Sequence, residues 1–405
     1  MSTRTPRKHL NIPMRKMLHQ EMGRTPEEHA AWFRKMQESQ PVSFQPEDDL
    51  WEVFRYEDIQ RVLLEHETFS CEYVRIAGLP DVDDLGNTDP PRHQQLRTLV
   101  SKVFTPRSIS QLAPRITAIV DGLLDRVIMD GRMDIARQFA FPLPVLMIAD
   151  LLGVPAQDKE RFIRWSYQLM GAIPNPDDPN YKELTDYFRE ILVQREKDPR
   201  DDLMSALLTA EAAGEHLTHD EIIAIGATLL LAGHITTTML ITLAIRRFDR
   251  DPEIYNALRA DFSLIPGALE EVLRYDFSTS HLMRVVKRDT TLGGQLIKKG
   301  QVVVAWAAAA NFDETVFPHG DQFDIRRSPN PHITFGHGVH VCLGAPLARL
   351  EGKIAFERIL ARMEDIRCDT QNPATFMQSS SFIQSLPILF KAGTPVRTAG
   401  AVHGN

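Results

Sequence analysis

The sequence predicts a mainly α-helical domain with a small β region, and three observations carry that expectation. Helical periodicity with caps runs from Pro26 to Tyr275. Two β-rich runs, TTLGGQLI and QVVVAW, follow it, separated by the turn KKG. A loop-rich stretch from Asn311 to Gly344 then leads into renewed helical spacing at Ala345. Many helices followed by a short sheet describe an α-rich fold with a minor β region.

Residues 1–20 read as a basic tail: Arg4, Arg7, Lys8, Arg15 and Lys16 precede the first acid, Glu21, and no apolar run suits a signal peptide. Residues 21–395 read as one domain and 396–405 as a short C-terminal tail. Proline and glycine punctuate the helical part at Asp89-Pro90-Pro91, at Phe141 to Pro144 and at Pro174 to Pro179. The longest apolar segment, Ile222 to Ile245, is long enough to span a bilayer at roughly 1.5 Å per residue. It contains Gly226, Gly233, His234 and Thr236 to Thr238 and lacks flanking topology signals, so a buried core helix is expected rather than a membrane span.

The 405 residues are 43% hydrophobic and 25% charged, enough apolar material for a large core. A net charge of -8 argues against nucleic acid as the partner, because phosphate binding needs a basic footprint. The three cysteines, Cys71, Cys342 and Cys368, give no disulfide framework and suit a reducing, cytoplasmic setting.

The stretch FGHGVHVCLGAPLARLE, Phe335 to Glu351, carries the chemistry. Gly336, Gly338 and Gly344 allow backbone to approach the sulfur of Cys342, and a helix start just beyond it favours a thiolate. From the residues alone a packed, inert thiol stays open. So does a zinc site drawn from His332, His337, His340 and Cys342.

FGHGVHVCLG resembles the haem-binding loop of the cytochromes P-450, whose pattern FGxGxHxCxG is met by Phe335, Gly336, Gly338, His340, Cys342 and Gly344. The resemblance covers most of the chain and is to the soluble bacterial type. It implies the P-450 fold, haem b with Cys342 as axial ligand, and Phe335 packed beside the sulfur. It further implies that His93 and Arg97 in DPPRHQQLR, with Arg284 and His340, hold the haem carboxylates. Glu271 and Arg274 in EEVLRY match the family's ExxR element, which joins Arg327 to lock the loop beneath the haem. Read alone, Glu271 and Arg274 are a commonplace surface ion pair worth under about 1 kcal/mol.

LLLAGHITTT, Leu229 to Thr238, resembles the family's helix across the oxygen-binding face. Ala232 and Gly233 are expected to leave room for dioxygen, and Thr236 to bond back to the Ala232 carbonyl and to relay protons. The family usually has an acid where this chain has Ile235, which puts the standard proton route in doubt. Water or a polar group on the substrate is expected to serve instead.

Expected pocket residues are Arg75, Phe277, Leu282, Phe382 and Ile383, with polar contacts from Ser278, Thr279, His281 and Gln384. No flavin or iron–sulfur motif accompanies them, so NAD(P)H-derived electrons are expected from an external ferredoxin or flavodoxin and its reductase, received near Lys102, Arg349 and Lys353. The expected activity is hydroxylation or epoxidation of a mostly apolar small molecule by a monomeric enzyme, in secondary metabolism. The alternatives are non-standard haem-thiolate chemistry (peroxygenation, dehydration or isomerisation), motivated by Ile235, and a haem-dependent sensor without turnover.

Overall fold

The computed structural model of the protein describes residues 22, 25–73, 85–102, 104–169, 178–212, 215–277, 279–377 and 382–393. Its centre is a 32-residue helix, His219–Arg250. Thr218 and Glu221 form a reciprocal cap at its start, and Asp251 both ends it and caps the next helix, Pro252–Ala260. These caps extend the helix by about a turn beyond each end of the apolar run. By length and composition it could cross a membrane. In the fold it packs instead against the helices Pro142–Leu151, Pro179–Lys197, Ile265–Tyr275 and Ala345–Arg362.

The β region is larger than expected and reaches back into the N-terminal part. Five strands line up in the order Val42–Gln45, Leu50–Val53, Val302–Ala305, Leu282–Val286, Phe69–Ser70. Val302 pairs with Leu50 in a parallel ladder and with Val285 in an antiparallel one. The run TTLGGQLI forms a separate hairpin, Thr290–Leu292 with Gln295–Ile297. Its turn residues, Gly293 and Gly294, have φ of 53° and 78°, a conformation open to glycine and costly for most others. A second sheet joins Met363–Cys368, Pro387–Ala392 and Arg132–Asp134.

Two apolar cores result. One fills the space between the helices; the other, under the five-stranded sheet, is rich in aromatic rings, with Trp32 and Trp306 in contact with each other and each with Phe33 and Phe54. Phe277, expected in the pocket, belongs to this second core. With φ of 25° it turns its ring toward His29 and Phe33, 5.5 and 6.3 Å away between centroids.

Candidate active site around Cys342

The cysteine loop is shaped by backbone bonds that need its glycines. The Cys342 N–H donates to the Phe335 carbonyl at 2.8 Å, and Gly336 and Gly338 take φ of 75° and 74°. A Cβ at Gly338 would stand 2.8 Å from the Leu63 carbonyl oxygen, so only glycine lets the loop lie this close to the helix Tyr56–Leu64. The helix Ala345–Arg362 starts immediately beyond, with Pro346 in its first turn.

Cys342 is exposed along one side and crowded by protein on the others, and burial pushes its thiol up. Against burial act the Gly344 and Ala345 amides, which point at the sulfur, and the charges of Arg97 and Arg349. Burial also raises Cys71 and Cys368, the latter to about 12, and neither receives backbone amides among the described residues. Each of those two has one nearby arginine, but Cys342 is the one described thiol that backbone amides also support as an anionic sulfur.

Arg97, on the helix Arg92–Ser101, is half-buried, and Arg284, on strand Leu282–Val286, is buried. Burial lowers both guanidinium pKa values. Among the described residues neither forms an ion pair, and Arg284 has only the Met283 carbonyl at 2.7 Å. Desolvated arginines left without an ion pair are costly, and these suit an anionic ligand placed beside Cys342. His93 is buried on the same helix as Arg97, and its ring lies tilted against that of His340, 4.0 Å away between centroids. Burial, then His93 and Arg284, hold His340 down at about 3, so it is a neutral hydrogen-bonding ring at ordinary pH. A cysteine, two arginines and two imidazoles are the donor set that an iron porphyrin with two carboxylates requires.

The zinc alternative does not assemble, because its histidines diverge. His332 bonds to Glu270, His337 lies against Gln60, and His340 lies against Cys71. Two residues that sequence reading missed, Cys71 and Asp89, do meet His340, their ligand atoms all within 4.8 Å. Nothing in the local sequence marks them, since they are distant in the chain and Asp89 reads only as a turn.

Glu271 and Arg274 are no surface pair. Both side chains are fully buried, bonded at 2.7 and 2.8 Å, and Arg327 joins Glu271 at 3.1 Å. Arg274 also donates to the carbonyls of Asn311, Gly320 and Gln322, while Glu271 accepts from the Asp324 amide and Asn330. Helix Ile265–Tyr275 is thereby fastened to the segment that leads into the cysteine loop.

On the long helix, Thr236 Oγ1 donates to the Ala232 carbonyl at 3.1 Å, and Ala232 is exposed. Gly233 has a packing role: a Cβ there would come 2.6 Å from Ile148 Cδ1, so the glycine admits the neighbouring helix. His234 is fully buried, its Nδ1 at 2.6 Å from the Leu230 carbonyl, and Ile235 packs against the helical core. Leu282 lies beside the cysteine loop, 3.9 Å from where a Gly336 Cβ would be. Phe382 and Ile383 are buried in the main core, and His281 bonds Ser280 and faces Trp306. Arg75 and Ser278 lie outside the described residues.

Comparison with known proteins identifies the family. The cytochrome P450 family profile matches residues 259–392. The chain is 38% identical over 373 residues to the erythromycin C-12 hydroxylase of Saccharopolyspora erythraea, covering 88% of this chain and 93% of that protein. It is 39% identical over 350 residues to the cyclomarin C epoxidase CymV of Salinispora arenicola, covering 83% and 89%. Among solved structures, cytochrome P450 CYP109Q5 from Chondromyces apiculatus superposes with a TM-score of 0.83 at 37% identity, over 91% of this chain and 96% of that one. A cysteine loop of this construction, on a fold shared along nearly the whole chain, means that the protein belongs to the cytochrome P450 family of haem-dependent monooxygenases.

Proposed function

We propose that this P450 hydroxylates or epoxidises a largely apolar small molecule of the secondary-metabolite kind, with Cys342 as the iron ligand. The observation that carries the site assignment is the pairing of an amide-supported sulfur with two arginines, partly or wholly desolvated, that form no ion pair among the described residues. Its relatives, an erythromycin hydroxylase and a cyclomarin epoxidase by name, support the substrate class. Bound haem supplies the activation of dioxygen. The protein's own residues do the rest: Arg97, Arg284, His93 and His340 hold the carboxylates, and Glu271, Arg274 and Arg327 fix the loop. Thr236 Oγ1 holds a proton at the oxygen face, with Ala232 leaving space there, and Ile235 shields without carrying a proton. Leu282, near the loop, offers an apolar wall.

Electrons come from NAD(P)H through an external ferredoxin or flavodoxin and its reductase, in the cytoplasm, to a monomeric enzyme. The receiving face holds Lys102, Arg349 and Lys353, the last two about half exposed at 45% and 47%. It borders a cleft of about 330 Å³ lined by Ile109, Leu269, Pro346 and Leu350. Ile235 favours one second reading, peroxide-driven, dehydrating or isomerising chemistry that needs no acid at that place. The test is turnover with NADPH, ferredoxin and reductase under isotopically labelled dioxygen, after finding a ligand by spin-state change. One labelled oxygen in the product is expected; product with no label, or binding without turnover, would overturn the reading.

A further inference from the structure

We infer that Glu270 is a positioning residue for the thiolate, acting through Arg349 and His332 on Phe335. The inference rests on Cys342 being the haem ligand. Glu270 accepts a forked pair of bonds from Arg349, Nε at 2.7 Å and Nη2 at 2.8 Å. It also accepts from His332 Nε2 at 3.1 Å. The His332 side chain is almost wholly buried and its Nδ1 has no partner, so the geometry assigns the ring proton to Nε2. Arg349 and His332 then converge on one ring: the guanidinium lies 4.6 Å from the Phe335 centroid and the imidazole 5.9 Å from it. Glu270, Arg349, Phe335 and His332 therefore close a circuit of four side chains.

What the circuit grips matters for the sulfur. Phe335 supplies the carbonyl that accepts the Cys342 N–H at 2.8 Å, so holding its ring holds the backbone that orients the cysteine. Arg349 adds its charge near that sulfur. Burial alone would raise the Glu270 carboxyl, but Arg349 and His332 hold it down at about 2, so the clamp keeps its charge across the working range. The adjacent carboxylates on this helix thus divide the work, Glu271 fastening the segment before the loop and Glu270 the loop itself. A forked arginine–carboxylate contact with a guanidinium stacked on a ring is specific to arginine, so lysine would not replace it.

The test uses haem-loaded Glu270→Ala, Glu270→Gln and Arg349→Lys, with Glu357→Gln, on the same helix as Arg349, as a control. Iron reduction potential, the iron–sulfur stretching frequency and the melting temperature are read in each. Potential and stretch should shift in Glu270→Ala and Arg349→Lys, shift less in Glu270→Gln, and stay put in Glu357→Gln, while melting changes little. Unshifted potential and stretch in Arg349→Lys, which should load haem even where Glu270→Ala does not, would overturn the inference; so would an equal shift in Glu357→Gln. A reduced carbon monoxide spectrum lacking the thiolate band in the unmodified protein would instead refute the ligand assignment beneath it.

Discussion

Thr236 and Ile235 make the sharpest case at the scale of single residues. The Thr236 hydroxyl is tethered to the Ala232 carbonyl, and the neighbouring side chain that could feed it protons is an isoleucine. If Thr236 manages a proton at the oxygen face, Thr236→Ala should divert reducing equivalents from product to hydrogen peroxide. Ile235→Glu should change the same ratio while leaving haem bound, by up to the roughly 10²–10⁴-fold that a general acid contributes. NADPH, peroxide and product measured together check both, and unchanged ratios would move proton delivery off this helix. Arg97→Leu should weaken haem retention in dialysis against apomyoglobin, whereas Arg326→Leu, an exposed change, should not; equal retention would count against Arg97. Cys342 was legible because its motif is contiguous and two of its glycines, Gly336 and Gly338, answer local backbone needs. The packing of Gly233 and Phe277 was not legible because it depends on Ile148 and His29, partners that no local pattern announces.

Among the elements, helix Ile265–Tyr275 is held by a buried ion pair whose every polar atom is used, so removing one partner strands a charge. Arg274→Ala should cost about 3–5 kcal/mol, read from denaturant midpoints of the haem protein. A loss near that of an exposed pair, under about 1 kcal/mol, would contradict the burial. Helix Ala345–Arg362 carries the opposite arrangement, since Glu351 is buried with Oε1 unpartnered and burial pushes its carboxyl up to about 8. A folded pKa above the unfolded one, about 4.3, means that its contribution is whole below that value and is lost as pH rises through about 8. Glu351→Gln should therefore gain stability over the unmodified protein as pH climbs through that window; parallel melting curves from about pH 5 to 9 would refute the raised pKa. Strands Val42–Gln45 and Leu50–Val53 escaped the sequence reading for a related reason. Each is four residues long, too short for a clear period, and Leu50–Val53 completes its ladder with Val302–Ala305 some 250 residues later.

For the whole molecule, the fold class followed from the order of helices and sheet, while the two-core arrangement did not, because it depends on that long-range pairing. The cysteine loop touches both parts, bonding to helix Tyr56–Leu64 on one side and to the ion-pair network on the other. That placement is why a short motif near residue 340 organises a chain of 405 residues. Among the described residues, the expected pocket side chains divide between the two cores, Phe277 in one and Phe382 and Ile383 in the other, a division that no local pattern announces. The central claim, that Cys342 binds haem iron as a thiolate, is tested most directly by the absorption spectrum of the reduced protein under carbon monoxide. The account predicts the strongly red-shifted Soret band of thiolate ligation, lost in Cys342→Ser and retained in Cys71→Ser and Cys368→Ser; a band at the position typical of imidazole ligation, or one that survives in Cys342→Ser, would contradict it.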